Sequence, residues 1–243
     1  MPRLPERPDI DHLKKQAKEL LRLYQAGDSA AFARLRNSLP AAEGKDDSAI
    51  TALGLKLHDA QSCIAREYGL PSWRNLRTYV HWANSRFSQS RKDAVPLWLH
   101  DVYGHQYDRP RPILAARKLA ERPDLGQGDL FLACAVGDES AIRRAIADGL
   151  ASVGSLTKNW RCPCCKEMLD MPALVAVTHS GLLQVPEFRD RLRRCARILL
   201  EAGVDPNQSW SHQSSGYPLS ALYGAAGKKL RLCVDQDAAR CRR

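Results

Sequence analysis

Apolar residues recur at every third or fourth position over much of the chain, which is the spacing of an amphipathic helix. The first such run extends from Ile10 to Tyr24, and lysines occupy its other side. Asp9 or Asp11 can cap its start, because an aspartate side chain accepts a hydrogen bond from a free backbone N–H group. The pattern predicts an all-α protein. Residues 41–50 are polar and without a period, and they are predicted to form an exposed loop.

A helix, a short turn and a second helix are predicted between Leu57 and Val80. Gly69 has the place of a helix C-cap, and Ala65 precedes it by four residues, as in a DNA-binding helix-turn-helix. That motif has an aliphatic residue six positions after the glycine, where this chain has Asn75. Nucleic-acid binding by the unit 60–80 is therefore an alternative hypothesis for the function of the protein.

The stretch from Cys195 to Asn207 is typical of the last turns of an amphipathic helix and its exit. Leu199 can pack inward, and Gly203 suits a left-handed C-cap. The following Asp205-Pro206 favours a turn that stops the helix. A helix that ends in this way is half of a helix pair, and one pair cannot bury its apolar side alone. Further helix pairs are therefore expected beside it.

The residues Leu199-Leu200, Gly203-Val204-Asp205 and Asn207 resemble the closing residues of an ankyrin repeat. The resemblance implies a short helical solenoid. It also implies that the chain binds another protein, without enzymatic activity, through a concave face of inner helices and inter-repeat turns. Four segments of the N-terminal part resemble the helical module that precedes ankyrin repeats in many bacterial proteins. They are residues 13–21, 26–28, 59–61 and 65–73.

Three passes of the repeat pattern are visible in the sequence. They run from Asp129 to Gly149, from Met171 to Gly203, and from Gly216 onward. The second pass contains extra residues, Leu182 to Glu187, between its helices. The third pass loses the pattern after Lys228, so the tail 229–243 is expected to cover the C-terminal face only in part.

These patterns predict three parts of the chain: an N-terminal helical module (1–82), a helical connector (83–128), and ankyrin-type repeats (129–243) of which the last is incomplete. In the connector, Trp98, Tyr103 and Tyr107 are expected to pack between helices rather than to form a site with the nearby histidines.

The net charge of +10, from 37 basic and 27 acidic residues, raises the question of a nucleic-acid partner. The three parts carry net charges of +3, +3 and +4. Binding to phosphates needs several simultaneous charge contacts, and this spread does not favour one element. Arg189, Arg193 and Arg197 do lie four residues apart on one helix face. These arginines either contribute to binding nucleic acid, or they form a solvent-facing side of the helix that is partly paired with Asp190 and Glu201.

Eight cysteines in a chain without a signal-peptide pattern are expected to be reduced. Cys162 and Cys165 have the two-residue gap of a zinc or redox pair, with Cys164 between them. The chain has no second pair of this kind. The remaining ligand candidates are isolated, and they are His179, Cys195 and His212. A zinc- or thiol-dependent function of this cluster is a second alternative, beside an incidental group of thiols.

Other chemistry has no support in the sequence. Cys165 and His179 can be named as a thiol–imidazole pair, but no spacing places them together. No nucleophile–base set, phosphate-binding glycine loop or paired carboxylates occur at a recognised spacing. We therefore assign no catalytic, cofactor or metal residue. No apolar run has the length of about 20 residues that a membrane helix needs. The expectation is a cytoplasmic protein with no membrane partner.

Overall fold

The prediction of an all-α protein is confirmed by a computed structural model, which describes residues 4–85, 88–104, 109–149, 160–163, 166, 168–211 and 218–227. Within these residues there are twelve α-helices and one two-stranded antiparallel sheet. The chain divides into two compact units, residues 1–89 and 90–243. The predicted connector (83–128) is divided by this boundary: its residues from 90 onward belong to the second unit, and those before 90 belong to the first. Tyr107 of the connector lies outside the described residues.

The first unit contains five α-helices and a short 3-10 helix, Pro40–Ala42. The α-helices are α1 (Ile10–Gln25), α2 (Ser29–Ser38), α3 (Asp47–Thr51), α4 (Leu57–Glu67) and α5 (Trp73–Ser85). In α1 the apolar face is buried, including Leu13 and Leu20, while Lys15 and Lys18 are exposed. The cap predicted at its start is Asp9, whose Oδ1 accepts from the Asp11 N–H at 2.7 Å.

The loop predicted at residues 41–50 is wrong over its second half, where α3 begins at Asp47. Asp46 caps this helix by accepting from the Ala49 N–H at 2.7 Å. Ile50 is fully buried, and its carbonyl oxygen accepts from the Tyr24 hydroxyl at 3.1 Å. The buried Ile50 side chain therefore holds this short helix against α1. A segment with one buried apolar residue shows no repeating pattern of apolar positions, so the sequence does not predict a helix here.

The second unit contains seven α-helices in the described residues. They are α6 (Arg91–Tyr103), α7 (Pro112–Glu121), α8 (Leu130–Val136), α9 (Glu139–Ala147), α10 (Ala173–His179), α11 (Pro186–Glu201) and α12 (Ala221–Gly227). Short 3-10 helices occupy Pro123–Gly126 and Gly181–Gln184. Strands β1 (Ser209–Ser211) and β2 (Pro218–Ser220) form a hairpin between α11 and α12, in the register Trp210↔Leu219.

Helices α8 and α9 form one pair, and α10 and α11 form the next. Across the pairs, α8 packs against α10, α10 packs against α12, and α9 packs against α11. Gly137 turns the chain between α8 and α9, and Asp138 then caps α9 by accepting from the Ala141 N–H at 3.0 Å. The helix pairs predicted from the sequence therefore lie side by side, each covering the apolar side of its neighbour.

The aromatic residues of α6 pack between helices, as predicted. The Trp98 Nε1–H donates to the Ala115 carbonyl oxygen on α7 at 3.0 Å, and the Trp98 side chain is buried. The Tyr103 hydroxyl donates to the Ala176 carbonyl oxygen on α10 at 3.1 Å. Its ring stacks on that of Phe131, with 5.4 Å between the ring centroids. Helices α6 and α7 thus share one apolar core with the helix pairs.

The extra residues between α10 and α11 belong to that core as well. The 3-10 helix Gly181–Gln184 contacts both α6 and α7, and Leu182 and Leu183 are buried. A β-carbon at Gly181 would lie 2.4 Å from the Val102 carbonyl oxygen. The insertion is therefore a packing element rather than a surface loop.

We expect Gly137→Ala to destabilise the protein more than Gly203→Ala. Both glycines have a left-handed backbone, with φ of 76° and 83°, and an alanine there costs about 1–2 kcal/mol. At Gly137 a β-carbon would also lie 3.1 Å from the Leu192 backbone nitrogen, whereas nothing lies within 4 Å at Gly203. Overpacking adds roughly 1–3 kcal/mol. Chemical denaturation of both variants measures the difference, and equal losses would show that the turn at Gly137 does not lie this close to α11.

Candidate functional site

The unit 60–80 has the helices that the sequence predicts. Helix α5 begins after Ser72, whose Oγ accepts from the Asn75 N–H at 3.3 Å. Asn75 is half-buried in the first turn, and Leu76 is the first residue of α5 in the core. The opposite side of α5 is exposed, and it carries Arg74, Arg77 and His81.

This exposed side of α5 lines an open groove of about 570 Å³ beside the start of α1. The lining residues are Ile10, Arg74, Arg77, Thr78, Val80, His81 and Asn84. Asn84 connects the two elements, because its Nδ2–H donates to the Pro8 carbonyl oxygen at 3.0 Å. No lining residue is acidic, and the charged side chains among the lining residues are those of Arg74 and Arg77.

The arginine face predicted on α11 is in large part engaged with other groups. The Arg189 Nε–H donates to the Leu183 carbonyl oxygen at 3.2 Å, and Arg193 forms the ion pair with Asp190 at 3.3 Å. Arg194 pairs with Glu139 of α9 at 2.7 Å. Arg197 is exposed. Two of the three predicted arginines are therefore engaged close to their own helix, and Arg194 beside them connects α11 to α9.

One arginine of this helix is held against an aromatic ring. The Arg191 guanidinium lies 4.1 Å from the centroid of the Phe188 ring. Burial lowers the pKa of Arg191 from its usual value. This geometry is a cation–π contact within one helix, which fixes the arginine side chain close to the protein.

The cysteine cluster lies partly outside the described residues, since Cys164, Cys165 and His212 are not among them. Cys162 is buried, and the other ligand candidates, His179 and Cys195, are buried as well. In the part of the chain that the structure describes, no three His, Cys, Asp or Glu side chains gather closely enough to hold a metal ion. The proposed pairing of Cys165 with His179 likewise involves a residue outside that part.

Two tryptophans occupy equivalent positions that the sequence analysis missed. The Trp160 Nε1–H donates to Asp129 Oδ2 at 2.6 Å, and the Trp210 Nε1–H donates to Asp170 Oδ1 at 2.7 Å. Each tryptophan directly precedes a residue in an antiparallel β pairing: Arg161 pairs with Met168, and Ser211 pairs with Pro218. Trp210 lies 50 residues after Trp160, and this spacing between similar hairpins was the signal available in the sequence.

A buried ion-pair network between α6 and α7 was also missed. Asp101 and Lys118 are 1% and 3% exposed, and their Oδ2 and Nζ atoms lie 2.7 Å apart. Arg111 Nε lies 2.9 Å from the other carboxylate oxygen of Asp101. Burial lowers the pKa of Lys118, and the neighbouring Asp101 carboxylate opposes that shift. The network is structural, because it satisfies charges inside the core.

Helices α8 and α10 present almost no side chain to solvent. Every residue of α10 is buried, and on α8 only Leu130 is partly exposed. The side chains of α8 and α10, apart from that of Leu130, are therefore unavailable to a partner in the described part of the chain.

Helix α12 differs from them. It packs against α10 through Gly224, where a β-carbon would lie 2.5 Å from His179 Nδ1. Its outer side carries Leu222 and Tyr223, which are 63% and 68% exposed. The tail 229–243, which was expected to cover this face only in part, lies outside the described residues.

Two buried thiols predict that the protein loses stability at alkaline pH. Burial, followed by the Glu67 carboxylate, raises the pKa of the Cys63 thiol from 9.0 to about 12. Burial and the Glu139 carboxylate raise the pKa of Cys195 in the same way, also to about 12. In the unfolded chain both thiols ionise near pH 9. Their contribution to the free energy of unfolding is therefore fully present below pH 9 and is lost between pH 9 and 12.

The measurement is the free energy of unfolding in reducing buffer at pH 8, 9 and 10.5. The wild-type value should fall over this range, and the Cys63→Ala, Cys195→Ala double variant should show a shallower fall. An identical pH dependence of the two proteins would show that these thiols are not buried as the structure places them.

Comparison of the chain with protein-family models, with curated proteins and with solved structures finds no match. In addition, no helix in the described ranges is both long and apolar enough to span a bilayer.

Proposed function

We propose that the second unit is an ankyrin-type stack and that its function is to bind another protein, without catalysing a reaction. The arrangement of α8, α10 and α12 supports this proposal, because each packs on the next as inner helices do in repeat proteins. The hairpin β1–β2 between α11 and α12 stands where an inter-repeat turn belongs. The helices of residues 4–85 would then be the N-terminal module that the sequence resembles.

The observation that carries the binding proposal is the exposure of Leu222 and Tyr223, which we call the α12 surface. Both lie on the last described inner helix, where a further repeat would continue the stack. Neighbouring large side chains of α8 and α10 are buried by the next helix, and these two are not. An exposed apolar patch of this kind marks an interaction site.

The chemistry of the α12 surface favours a protein partner over a nucleic acid. Helix α12 has the sequence Ala221-Leu-Tyr-Gly-Ala-Ala-Gly227 and carries no charged side chain. Aromatic residues are enriched in the centres of protein–protein interfaces, whereas nucleic-acid sites need cations for the phosphates. A partner would therefore bury the Tyr223 ring and the Leu222 side chain together.

We place this interaction in the cytoplasm. The cysteines whose state the structure describes are free thiols: Cys63, Cys134, Cys162 and Cys195. Free thiols are the usual state in a reducing compartment.

Photo-crosslinking tests the proposal. Tyr223 is replaced by the photoreactive p-benzoylphenylalanine in cells that express the full chain, and cross-linked products are identified by mass spectrometry. We expect a defined protein adduct from position 223, and its loss in a chain that also carries Leu222→Asp. The same photoreactive residue at the exposed position Arg143 on α9 is the control. Absence of an adduct at 223, or equal adducts from both positions, would contradict the proposal.

A further inference from the structure

The groove between α5 and the start of α1 has no part in the function proposed above. One side of the groove is formed by the cationic Arg74 and Arg77 and by His81, which follow one another at spacings of three and four residues. Residues at these spacings lie along one side of a helix. All three are exposed, and Arg77 has no ion-pair partner among the described residues. The side therefore presents two guanidinium groups and an imidazole over a length of about 11 Å, at 1.5 Å per residue.

The floor of the groove is apolar. Ile10 is half-buried at the start of α1, and Val80 is buried on α5. Thr78 and Asn84 add polar groups at the sides. A ligand that fills this groove would therefore combine negative charge with an apolar part, since both kinds of surface line one space of about 570 Å³.

We propose that this groove binds a short acidic peptide segment of a partner protein. Carboxylates of the peptide pair with Arg74 and Arg77, because a guanidinium donates two parallel hydrogen bonds to a carboxylate. An aliphatic side chain of the peptide packs on Ile10 and Val80. The partner is thus recognised by alternating acidic and aliphatic residues.

The surroundings of the groove favour a peptide over a nucleic acid. Asp9 and Asp11 are exposed on either side of Ile10, at the rim formed by α1. Duplex DNA carries one negative charge per about 1.7 Å of its axis, so a duplex laid along the groove would bring phosphates to the rim that carries Asp9 and Asp11, of which Asp11 is paired with Lys14 at 2.8 Å. A short peptide can place its few carboxylates on the α5 side alone. The sequence also argues against DNA binding, because Asn75 stands at the position where a helix-turn-helix has an aliphatic residue.

Fluorescence anisotropy with the full chain tests the proposal. The probe is a labelled peptide of alternating Glu and Leu, and a peptide of alternating Gln and Leu is the uncharged reference. We expect binding of the first peptide, at least tenfold weaker binding of the second, and at least a tenfold loss in the Arg74→Ala, Arg77→Ala variant. The Lys15→Ala, Lys18→Ala variant removes the same charge from exposed positions of α1 outside the groove, and it should bind within twofold of the wild type.

A charge reversal gives a second, independent readout. Arg74→Glu, Arg77→Glu should bind a peptide of alternating Lys and Leu more tightly than the Glu-Leu peptide, with the preference of the wild type inverted. Matching melting temperatures verify that the variants fold.

Three results would overturn the proposal. The first is equal weakening by the Lys15/Lys18 and Arg74/Arg77 variants, because the attraction would then be a general effect of charge. The second is equal binding of the Gln-Leu and Glu-Leu peptides. The third is tighter binding of a 20-base-pair duplex DNA than of the peptide, dependent on Arg77, which would assign the groove to nucleic acid. Each result concerns the first unit and leaves cross-linking at position 223 unaffected.

Discussion

Asp101→Asn is expected to lower the free energy of unfolding by about 3–5 kcal/mol, the cost of removing one partner of a buried ion pair. The reason is that Lys118 is 3% exposed and has its Nζ 2.7 Å from Asp101 Oδ2. The neutral amide leaves the ammonium group inside the core without a counter-charge. Arg111, 2.9 Å from the other carboxylate oxygen, loses its ion pair as well. Urea denaturation of the two proteins measures the loss.

The control removes the two fully buried charges together, and it leaves Arg111, whose side chain is 16% exposed, in contact with solvent. Asp101→Leu combined with Lys118→Met replaces the pair by apolar side chains, and such replacements are often neutral or stabilising. This double variant should therefore be more stable than Asp101→Asn alone. If Asp101→Asn costs less than 1 kcal/mol, or if the double variant is the less stable of the two, Asp101 and Lys118 are not buried together between α6 and α7.

Leu199→Ala is expected to cost about 2–5 kcal/mol, and Leu200→Ala no more than about 0.5 kcal/mol. The two leucines are neighbours on α11, but Leu199 is fully buried and Leu200 is 41% exposed. The substitution is the same in both cases, so helix propensity cancels and only the packing differs. Thermal unfolding of the two variants gives the comparison. Similar losses from both would show that α11 does not face α10 with the side that the sequence predicts.

Those parts of the fold that depend on local periodicity could be predicted from the sequence. The buried side of α1, the end of α11 near Gly203 and the pair α8–α9 all follow from residues three or four apart and from the glycine and aspartate caps. Each of these features is determined within one turn of helix.

The features that were missed depend on contacts between residues distant in sequence. The spacing around Leu114 indicates an amphipathic α7, but only the approach of α6 buries Lys118 against Asp101. In the same way, the insertion at Gly181 resembles a loop until Val102 and Pro110 are placed beside it. A long charged side chain is usually exposed, so sequence alone favours the wrong environment for Lys118.

The same limit applies to the sites. The helical spacing of Arg74, Arg77 and His81 is visible in the sequence, but Ile10, which completes the groove, lies 64 residues before Arg74. Similarly, Leu222 and Tyr223 read as ordinary residues of a repeat. Their exposure depends on which helix covers them, and in the described residues no helix follows α12.

We propose that α12 packs as an inner helix against α10 and thereby holds Leu222 and Tyr223 outward for a protein partner. Photo-crosslinking from position 223 in the Gly224→Val background tests it most directly. A side chain at 224 would meet the His179 ring and the Thr178 carbonyl oxygen, at 2.5 Å and 2.9 Å for its β-carbon. Ala226→Val, at an exposed position of the same helix, is the control. We predict that Gly224→Val abolishes the adduct and that Ala226→Val retains it. An adduct of equal yield in both variants would contradict the account.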